Sequence, residues 1–249
     1  MKLKLIFLIS IFIVATTQSF AGWYKCYNFS GFIGAYPITL SFQHAEGYFG
    51  ESAKKKYNVI GVYKYNKFNT PIRFEGIFNP VTKQVELFEI GTNASVTATF
   101  KLNFSGTQLV GNWNDSKNTL TVTLTLTNRL FDQPDIAFNG IEIIQYPSLD
   151  KYYFVGVYNK NQKSEAYMSA LKIINKETNK TFQTLNFENI DTPTGTLMTI
   201  IYDNVTTNKG YNFIISNSIG RVGGYLTVNY HPKKKMFVLN PEPVAEGPN

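Results

Sequence analysis

Residues 202–215, YDNVTTNKGYNFII, have the outline of a calcium-binding loop between two strands. Asp203 opens the loop, Thr207 offers a hydroxyl oxygen, and Gly210 precedes an apolar strand. A calcium ion needs several anionic oxygens at alternating positions of such a loop. The ligand positions that align with Gly210 carry no carboxylate, and Lys209 adds a positive charge. We therefore interpret the loop as a remnant that has lost its metal, and we expect no calcium and no other cofactor.

Histidine and cysteine, which serve much of hydrolytic and zinc chemistry, are scarce in this chain. His44 and His231 lie in separate halves, and neither stands in the nucleophile context that a Ser-His-Asp or Cys-His system needs. Cys26 is the only cysteine, so the chain has no internal disulfide and no zinc-binding spacing. We expect Cys26 to be a small buried apolar residue rather than a nucleophile.

Pairs of carboxylates are the remaining catalytic option, since a glycosidase needs only two. Glu86 lies close to Glu89 in the sequence, and Asp132 lies close to Asp135. Glu75 alternates outward, which suggests a surface ion pair with the neighbouring arginine rather than an acid catalyst. Such pairs occur in any β protein of this size. The sequence therefore favours a protein that is not an enzyme.

Residues 1–21 have the three regions of a secretory signal. Two lysines precede an apolar run of ten residues, and small residues lead to a predicted cleavage after Ala21. The run is too short to span a bilayer, which takes about 20 residues. We expect an exported, soluble protein in the periplasm or outside the cell. Cleavage would remove two lysines and take the net charge from +7 to +5, which suits contact with an acidic surface or cleft, or simply solubility. Nucleic acid is not an expected partner there.

Alternation of apolar and polar residues dominates the chain, for example over residues 36–43, 96–104 and 119–126. A period of two is typical of half-buried antiparallel strands. Only residues 164–176 could form a helix, and they fit a strand equally well. The predicted fold class is all-β and antiparallel.

A seam near residue 146 divides the strands into two parts. Residues 22–146 carry a glycine inside several strands, as in GVYKY, RFEGIF and LVGNW, which predicts a small barrel or a strongly curled sheet. Residues 147–240 read as a second β domain of hairpins, similar to a propeller blade. Residues 241–249 read as a flexible tail rich in proline and glycine.

Aromatic residues are abundant, with 16 tyrosines and 20 phenylalanines in 249 residues. Clusters such as GWYKCYNF and DKYYF could place rings at a surface, where tyrosine is a rigid contact residue for proteins and sugars. The alternative is that the rings fill the spaces between wide sheets. Taken together, the residue types suit binding better than catalysis.

Three segments of the second half, at residues 171–185, 200–215 and 223–239, resemble in this order the C-terminal domain of a family of periplasmic lysozyme inhibitors. That family acts as immunity proteins against peptidoglycan-degrading effectors. Its hairpin motif is matched by Asn179-Lys180 and Gln183, and the end of its calcium loop by Gly210-Tyr211. Tyr225 matches the aromatic residue of the last hairpin, whereas the calcium ligands themselves are missing.

The resemblance implies that a loop enters the catalytic groove of a lysozyme-like enzyme. The candidate is SNSIGRVGGY, residues 216–225, whose glycines allow a tight projecting loop. Arg221 could pair with a catalytic carboxylate, and Tyr225 could anchor at the rim. The alternative is an ordinary glycine-rich hairpin. The residues expected to contact the partner are Ser218, Gly220, Arg221, Gly223, Gly224, Tyr225 and Tyr211.

The sequence thus predicts an exported protein that binds and inhibits a peptidoglycan hydrolase, as immunity or as defence. The alternative is a carbohydrate-binding or surface-binding β module that uses exposed aromatic rings. Exposed strand edges also leave room for a homodimer.

Overall fold

The computed structural model is all-β, which confirms the predicted class: its described residues form antiparallel strands and no helix. Among them, therefore, no helix could cross a membrane. The residues that the structure describes are 24–45, 56–91, 93–131, 136–162, 164–190, 194, 205–207, 211–219, 222–242 and 244–245.

The first eight strands close into a barrel, in which sequential strands pair and β1 also pairs with β8. The barrel is the more closed of the two forms expected for this part of the chain. Its strands are β1 (Tyr24–Ile33), β2 (Tyr36–Ala45), β3 (Val59–Tyr65), β4 (Ile72–Phe78), β5 (Gln84–Ile90), β6 (Val96–Ser105), β7 (Gln108–Asn114) and β8 (Thr119–Phe131).

Two smaller sheets follow the barrel. The second sheet has the order β12-β11-β10-β9, and the third has the order β13-β14-β15-β16, with β17 also paired to β15. The strands of the second sheet are β9 (Phe138–Ile144), β10 (Tyr152–Lys160), β11 (Tyr167–Asn175) and β12 (Thr181–Asn186). Those of the third are β13 (Val205–Thr207), β14 (Phe213–Ile219), β15 (Val222–His231), β16 (Met236–Leu239) and β17 (Val244–Ala245).

The barrel interior is a packed core rich in aromatic rings. Inward side chains alternate with outward ones along each strand. Phe29 stacks on Phe42 with centroids 5.6 Å apart, and Phe104 meets Phe29 edge-on at 5.3 Å. Tyr63 and Phe100 pack in the same way at 5.4 Å. Many of the tyrosines and phenylalanines thus fill the barrel, as one of the two interpretations of their abundance predicts.

Glycines let neighbouring strands approach closely inside the barrel. A Cβ atom added to Gly76 would lie 2.1 Å from the carbonyl oxygen of Glu86, and one added to Gly111 would lie 2.1 Å from that of Lys101. No real Cβ atom tolerates such a contact with backbone. The glycines in RFEGIF and LVGNW therefore mark close backbone approaches, as the sequence predicted.

A second core lies between the outer wall of the barrel and the two smaller sheets. Cys26, Ile60 and Leu130 belong to barrel strands, yet they are buried in this cluster. From the other side come apolar residues of the second sheet, such as Phe154, and of the third, such as Phe213. Cys26 is a free, buried thiol, as expected.

Three segments can be compared with the pattern expected from the sequence. The barrel ends at Phe131, and β9 pairs with β10, so the pairing partner changes well before residue 146. Residues 167–175 form the strand β11 rather than a helix. Val244–Ala245, inside the expected flexible tail, pair with Tyr225 and Gly224, because β16 leaves that part of β15 unpaired on this side.

We predict that Gly76→Ala destabilises the protein by about 3 kcal/mol, because its methyl group meets backbone that cannot move aside. The control is Gly106→Ala, whose Cβ would meet nothing within 4 Å. Its cost is the left-handed backbone alone, about 1 kcal/mol. Urea denaturation of both variants measures the difference, and equal losses would contradict the close approach.

We also predict that Cys26 does not react with Ellman's reagent at pH 8 unless the protein is unfolded in urea. Burial raises the pKa of this thiol to about 12. Between its ordinary pKa of 9.0 and that value, the folded state keeps a proton that the unfolded state releases, so stability falls as the pH rises. Cys26→Ala should remove this contribution to the alkaline loss of stability. Rapid labelling of the native protein would contradict the burial.

Candidate functional site

The segment predicted to enter an enzyme groove forms the end of the β14–β15 hairpin. Its backbone pairing runs from Phe213↔Val228 to Ile219↔Val222. Gly220 and Arg221, the two residues between the paired strands, lie outside the described residues. Residues 216–225 are therefore mostly paired strand. On either side of the connection, the described residues form a glycine-rich hairpin, which is the arrangement of the alternative interpretation.

Pairing beside this hairpin is described only at its base and along part of β15. On one side β13 pairs only with Phe213–Ile215, and on the other β17 pairs only with Gly224 and Tyr225. Among the described residues, the pairs Ser218↔Gly223 and Ile219↔Val222 therefore form a ribbon of two strands without a third.

The remaining predicted contact residues on β15 lie just behind this ribbon. Gly224 is buried and pairs with Asn217, while Tyr225 is half-buried and pairs with Ser216. Tyr225 is therefore close to the end of the hairpin, where a rim contact would be needed. Ser218, Gly223, Gly224 and Tyr225 thus share one end of the hairpin.

Tyr211 does not belong to that end. Tyr211 lies just before Phe213, the first residue of β14, and β14 continues for six more residues to Ile219. About 20 Å of strand therefore separates Tyr211 from the connection at Gly220. Its ring lies 6.0 Å from that of Tyr152 and 5.8 Å from that of Tyr230. The sequence could not show this separation because Tyr211 and Tyr225 are both close to the hairpin in the chain.

The loop with the outline of a calcium site is only partly described. Thr207 pairs with Phe213 at the end of β13, whereas Asp203, Lys209 and Gly210 lie outside the described residues. Within the described ranges, no three His, Cys, Asp or Glu side chains are grouped as metal ligands. The interpretation of the loop as a remnant stays a prediction.

Aromatic rings hold the third sheet against the second. Tyr152 of β10 lies 4.9 Å from Phe182 of β12 and 5.6 Å from Phe237 of β16. Tyr211 and Tyr230 continue the cluster from the third sheet. Burial, followed by the adjacent Tyr230 and Tyr211, raises the pKa of Tyr152. Tyr211 therefore helps to anchor the base of the hairpin rather than its end.

Gln183 adds a polar link between the same two sheets. Its Nε2 donates to the carbonyl oxygen of Phe237 at 2.8 Å, and its Oε1 accepts from the Phe237 amide at 2.8 Å. The side-chain amide thus pairs with β16 as the backbone of another strand would. This role was not apparent from the sequence, in which Gln183 only matches a family motif.

The other candidates for chemistry are dispersed. His44 is buried beside the ring of Phe78, and His231 accepts from the amide of Lys234 in a turn. Glu86 and Glu89 are an odd number of residues apart on β5, so they face opposite sides of the barrel wall. Asp132 and Asp135 lie outside the described residues.

The ion pair predicted for Glu75 is present, but it is not at the surface. Arg73 Nη2 lies 3.0 Å from Glu75 Oε1, and Glu75 is only 3% exposed. Alternation correctly placed Glu75 on the outer face of the barrel wall. It could not show that this part of the wall is covered.

One polar cluster was missed entirely. Glu89 follows Val85 and Leu87 on the inner face of β5 and is half-buried at one end of the barrel. Tyr63 donates its hydroxyl to Glu89 Oε2 at 2.5 Å, and Thr97 donates to Oε1 at 2.7 Å. We call this end the barrel mouth, formed by Tyr36, Tyr63, Tyr65, Phe68, Glu89, Thr97 and Trp113. The signal that could have revealed this cluster was the position of Glu89, which continues the alternation of the two buried residues Val85 and Leu87.

At the barrel mouth, aromatic rings cluster around Tyr65, next to Tyr63, which donates to the carboxylate. Tyr65 lies 5.6 Å from Tyr63, 6.1 Å from Tyr36 and 6.5 Å from Phe68, all nearly edge-on. Tyr36 is 55% exposed and Phe68 is 61% exposed, so both present apolar surface to solvent. Burial and then the charge of Glu89 raise the pKa of Tyr63. The carboxylate therefore acts on the rings as a negative charge in a partly desolvated site.

The β3–β4 turn that carries Phe68 is fixed to the second sheet. Asn69 is buried, donates to the carbonyl oxygen of Lys176 at 2.9 Å, and accepts from Lys64 Nζ at 2.7 Å. Lys64 also lies 5.1 Å from the centroid of the Tyr153 ring, and burial lowers its pKa. The mouth is therefore held in place by contacts outside the barrel.

Comparisons of the chain with family models, with curated proteins and with solved structures found no match. The resemblance to lysozyme inhibitors therefore enters below only as part of a proposal.

We predict that Gln183→Ala destabilises the protein by about 1–3 kcal/mol, because it leaves two backbone groups of Phe237 without partners. Gln183→Glu keeps an acceptor and loses the donor, so its loss should be smaller. The control is Gln108→Ala, which removes only a bond to Thr125 on the exposed outer surface. Thermal unfolding followed by circular dichroism ranks the three variants. A Gln183→Ala variant as stable as wild type would refute the role of Gln183 in joining the two sheets.

Proposed function

We propose that this chain is an exported, non-enzymatic binding protein that inhibits a lysozyme-like peptidoglycan hydrolase, as immunity or as defence. The observation that supports the proposal is the β14–β15 hairpin, whose pairing brings Ser218, Gly223 and Tyr225 to the end that carries the connection Gly220-Arg221. The resemblance of the surrounding sequence to periplasmic lysozyme inhibitors supplies the identity of the partner.

The chemistry of the partner's groove explains the choice of residues. Hydrolases of this kind carry a pair of carboxylates that flank the scissile bond. Arg221 can bind a carboxylate through two parallel hydrogen bonds, which gives direction as well as attraction. The chain's positive net charge favours approach to such an acidic cleft.

We limit the proposed contact set to one end of the hairpin. Ser218, Gly223, Gly224 and Tyr225 share the end of the hairpin with the connection Gly220-Arg221 in the sequence. Glycines there keep the ribbon thin, and Tyr225 stands where it can touch the rim of the groove. Tyr211 is left out of the contact set because it packs in the aromatic cluster at the hairpin's base.

The test is protection of a peptidoglycan suspension from lysis by several muramidases and glucosaminidases, followed by turbidity. Wild-type protein should protect against a cognate enzyme, and Arg221→Ala should weaken protection at least about tenfold, as expected for a buried arginine contact. Arg129→Ala makes the same change of charge on the exposed barrel surface and should protect like wild type. Arg221→Lys should fall between them, since lysine cannot bind bidentately.

The other outcomes are also decisive. Protection by Arg221→Ala at the wild-type level would refute the role of the hairpin. No protection against any enzyme, together with binding of the protein to the peptidoglycan itself, would favour the surface-binding alternative. Loss of protection on adding a chelator would show that the loop at residues 202–215 still binds calcium.

A further inference from the structure

We propose that the barrel mouth binds a small organic ammonium ion, held by the carboxylate of Glu89 and the rings of Tyr65, Tyr36 and Phe68. This site is separate from the β14–β15 hairpin and does not depend on the function proposed for it.

The first argument is the state of Glu89. Tyr63 and Thr97 donate to it at 2.5 and 2.7 Å, which orients both carboxylate oxygens. In the part of the chain that the structure describes, Glu89 has no ion-pair partner, so a half-buried negative charge stands without a cation. A charge removed from water without an opposite partner is costly, and a bound cation would offset that cost.

The second argument is the arrangement of the rings. A cation is attracted to the face of an aromatic ring within about 6 Å of its centroid, and groups of such rings recognise alkylated ammonium ions. Tyr65 is central to the cluster, with Tyr36, Tyr63 and Phe68 all within 6.5 Å of it. The ring of Phe68 already attracts an ammonium group of the chain itself, since Lys67 Nζ lies 5.7 Å from its centroid.

The third argument is electrostatic. After burial, the pKa of Tyr65 is raised by the charges of Glu89 and Asp115, although its hydrogen bond with Tyr63 opposes the change. Both carboxylates therefore act on the same ring in a chain whose net charge is +7. Lys67 and Lys117 stand near the rim and partly oppose this field. The mouth thus brings two carboxylates to a group of aromatic rings in a chain whose net charge is positive.

One further group at the mouth lacks a partner. The indole Nε1 of Trp113 is buried without a hydrogen bond in the described structure. Trp113 is the last inward residue of β7, as Glu89 is of β5, with only β6 between the two strands. A ligand that carries a hydroxyl oxygen beside its ammonium group would give this donor an acceptor.

Choline is therefore the probe, and 3,3-dimethyl-1-butanol is its neutral isostere of nearly the same shape. Isothermal titration calorimetry of the full mature chain, at matched ionic strength, should show saturable binding of choline and none of the isostere. Glu89→Gln keeps the hydrogen-bond acceptors and removes the charge, so choline binding should weaken by at least about tenfold.

Matched variants separate the site from general effects. Glu86→Gln removes a charge from the opposite face of the same strand and should bind choline like wild type. Phe68→Leu changes an exposed ring and should weaken binding about threefold without affecting folding. Lys67→Met removes the internal competitor and should strengthen binding. Arg221→Ala should change nothing.

Three results would overturn the proposal. Equal binding of choline and its isostere would show an apolar site in which the charge of Glu89 has no role. The absence of saturable choline binding to wild-type protein, or equal losses in Glu86→Gln and Glu89→Gln, would show that the carboxylate and rings form no cation site.

Discussion

The architecture depends on one kind of close contact between neighbouring barrel strands. At an inward-facing glycine, the carbonyl oxygen of one strand approaches the backbone of the next. At Gly76 and Gly111 a side chain would stand 2.1 Å from such an oxygen. Glycine there lets the strands coil tightly enough to close eight of them around Phe29, Phe42 and Phe100. Once the barrel is closed, the position of every inward residue is set, including the acid at its mouth.

Much of this fold could be predicted because its signals are local. Alternation along residues 96–104 and 119–126 reflects strands with one apolar face, and both segments form barrel strands. Glycine within a strand mainly marks a close approach of neighbouring backbones, and it does so here. The exchange of partners at β9 could not be predicted, because residues 138–144 fit a barrel strand or a second sheet equally well.

The sites were less predictable because they depend on which residues meet in space. Glu89 draws its partners from β3 and β6, and no spacing in the sequence connects Tyr63 with Thr97. Proximity in the chain also hides that Tyr211, two residues before β14, lies at the opposite end of that strand from the connection to β15. Only the position of Glu89 among the inward-facing residues of an alternating strand carried usable information about the barrel mouth.

Part of the barrel wall is buried on both faces, with Phe29 and Tyr63 inside and Cys26, Ile60 and Leu130 outside. An ordinary autonomous barrel turns one face of each strand to water. Here the outer face of this part of the barrel wall would become an exposed apolar patch if residues 138–245 were removed. The barrel is therefore not a portable module. It cannot be shuffled between proteins by recombination unless the two sheets that cover it travel with it.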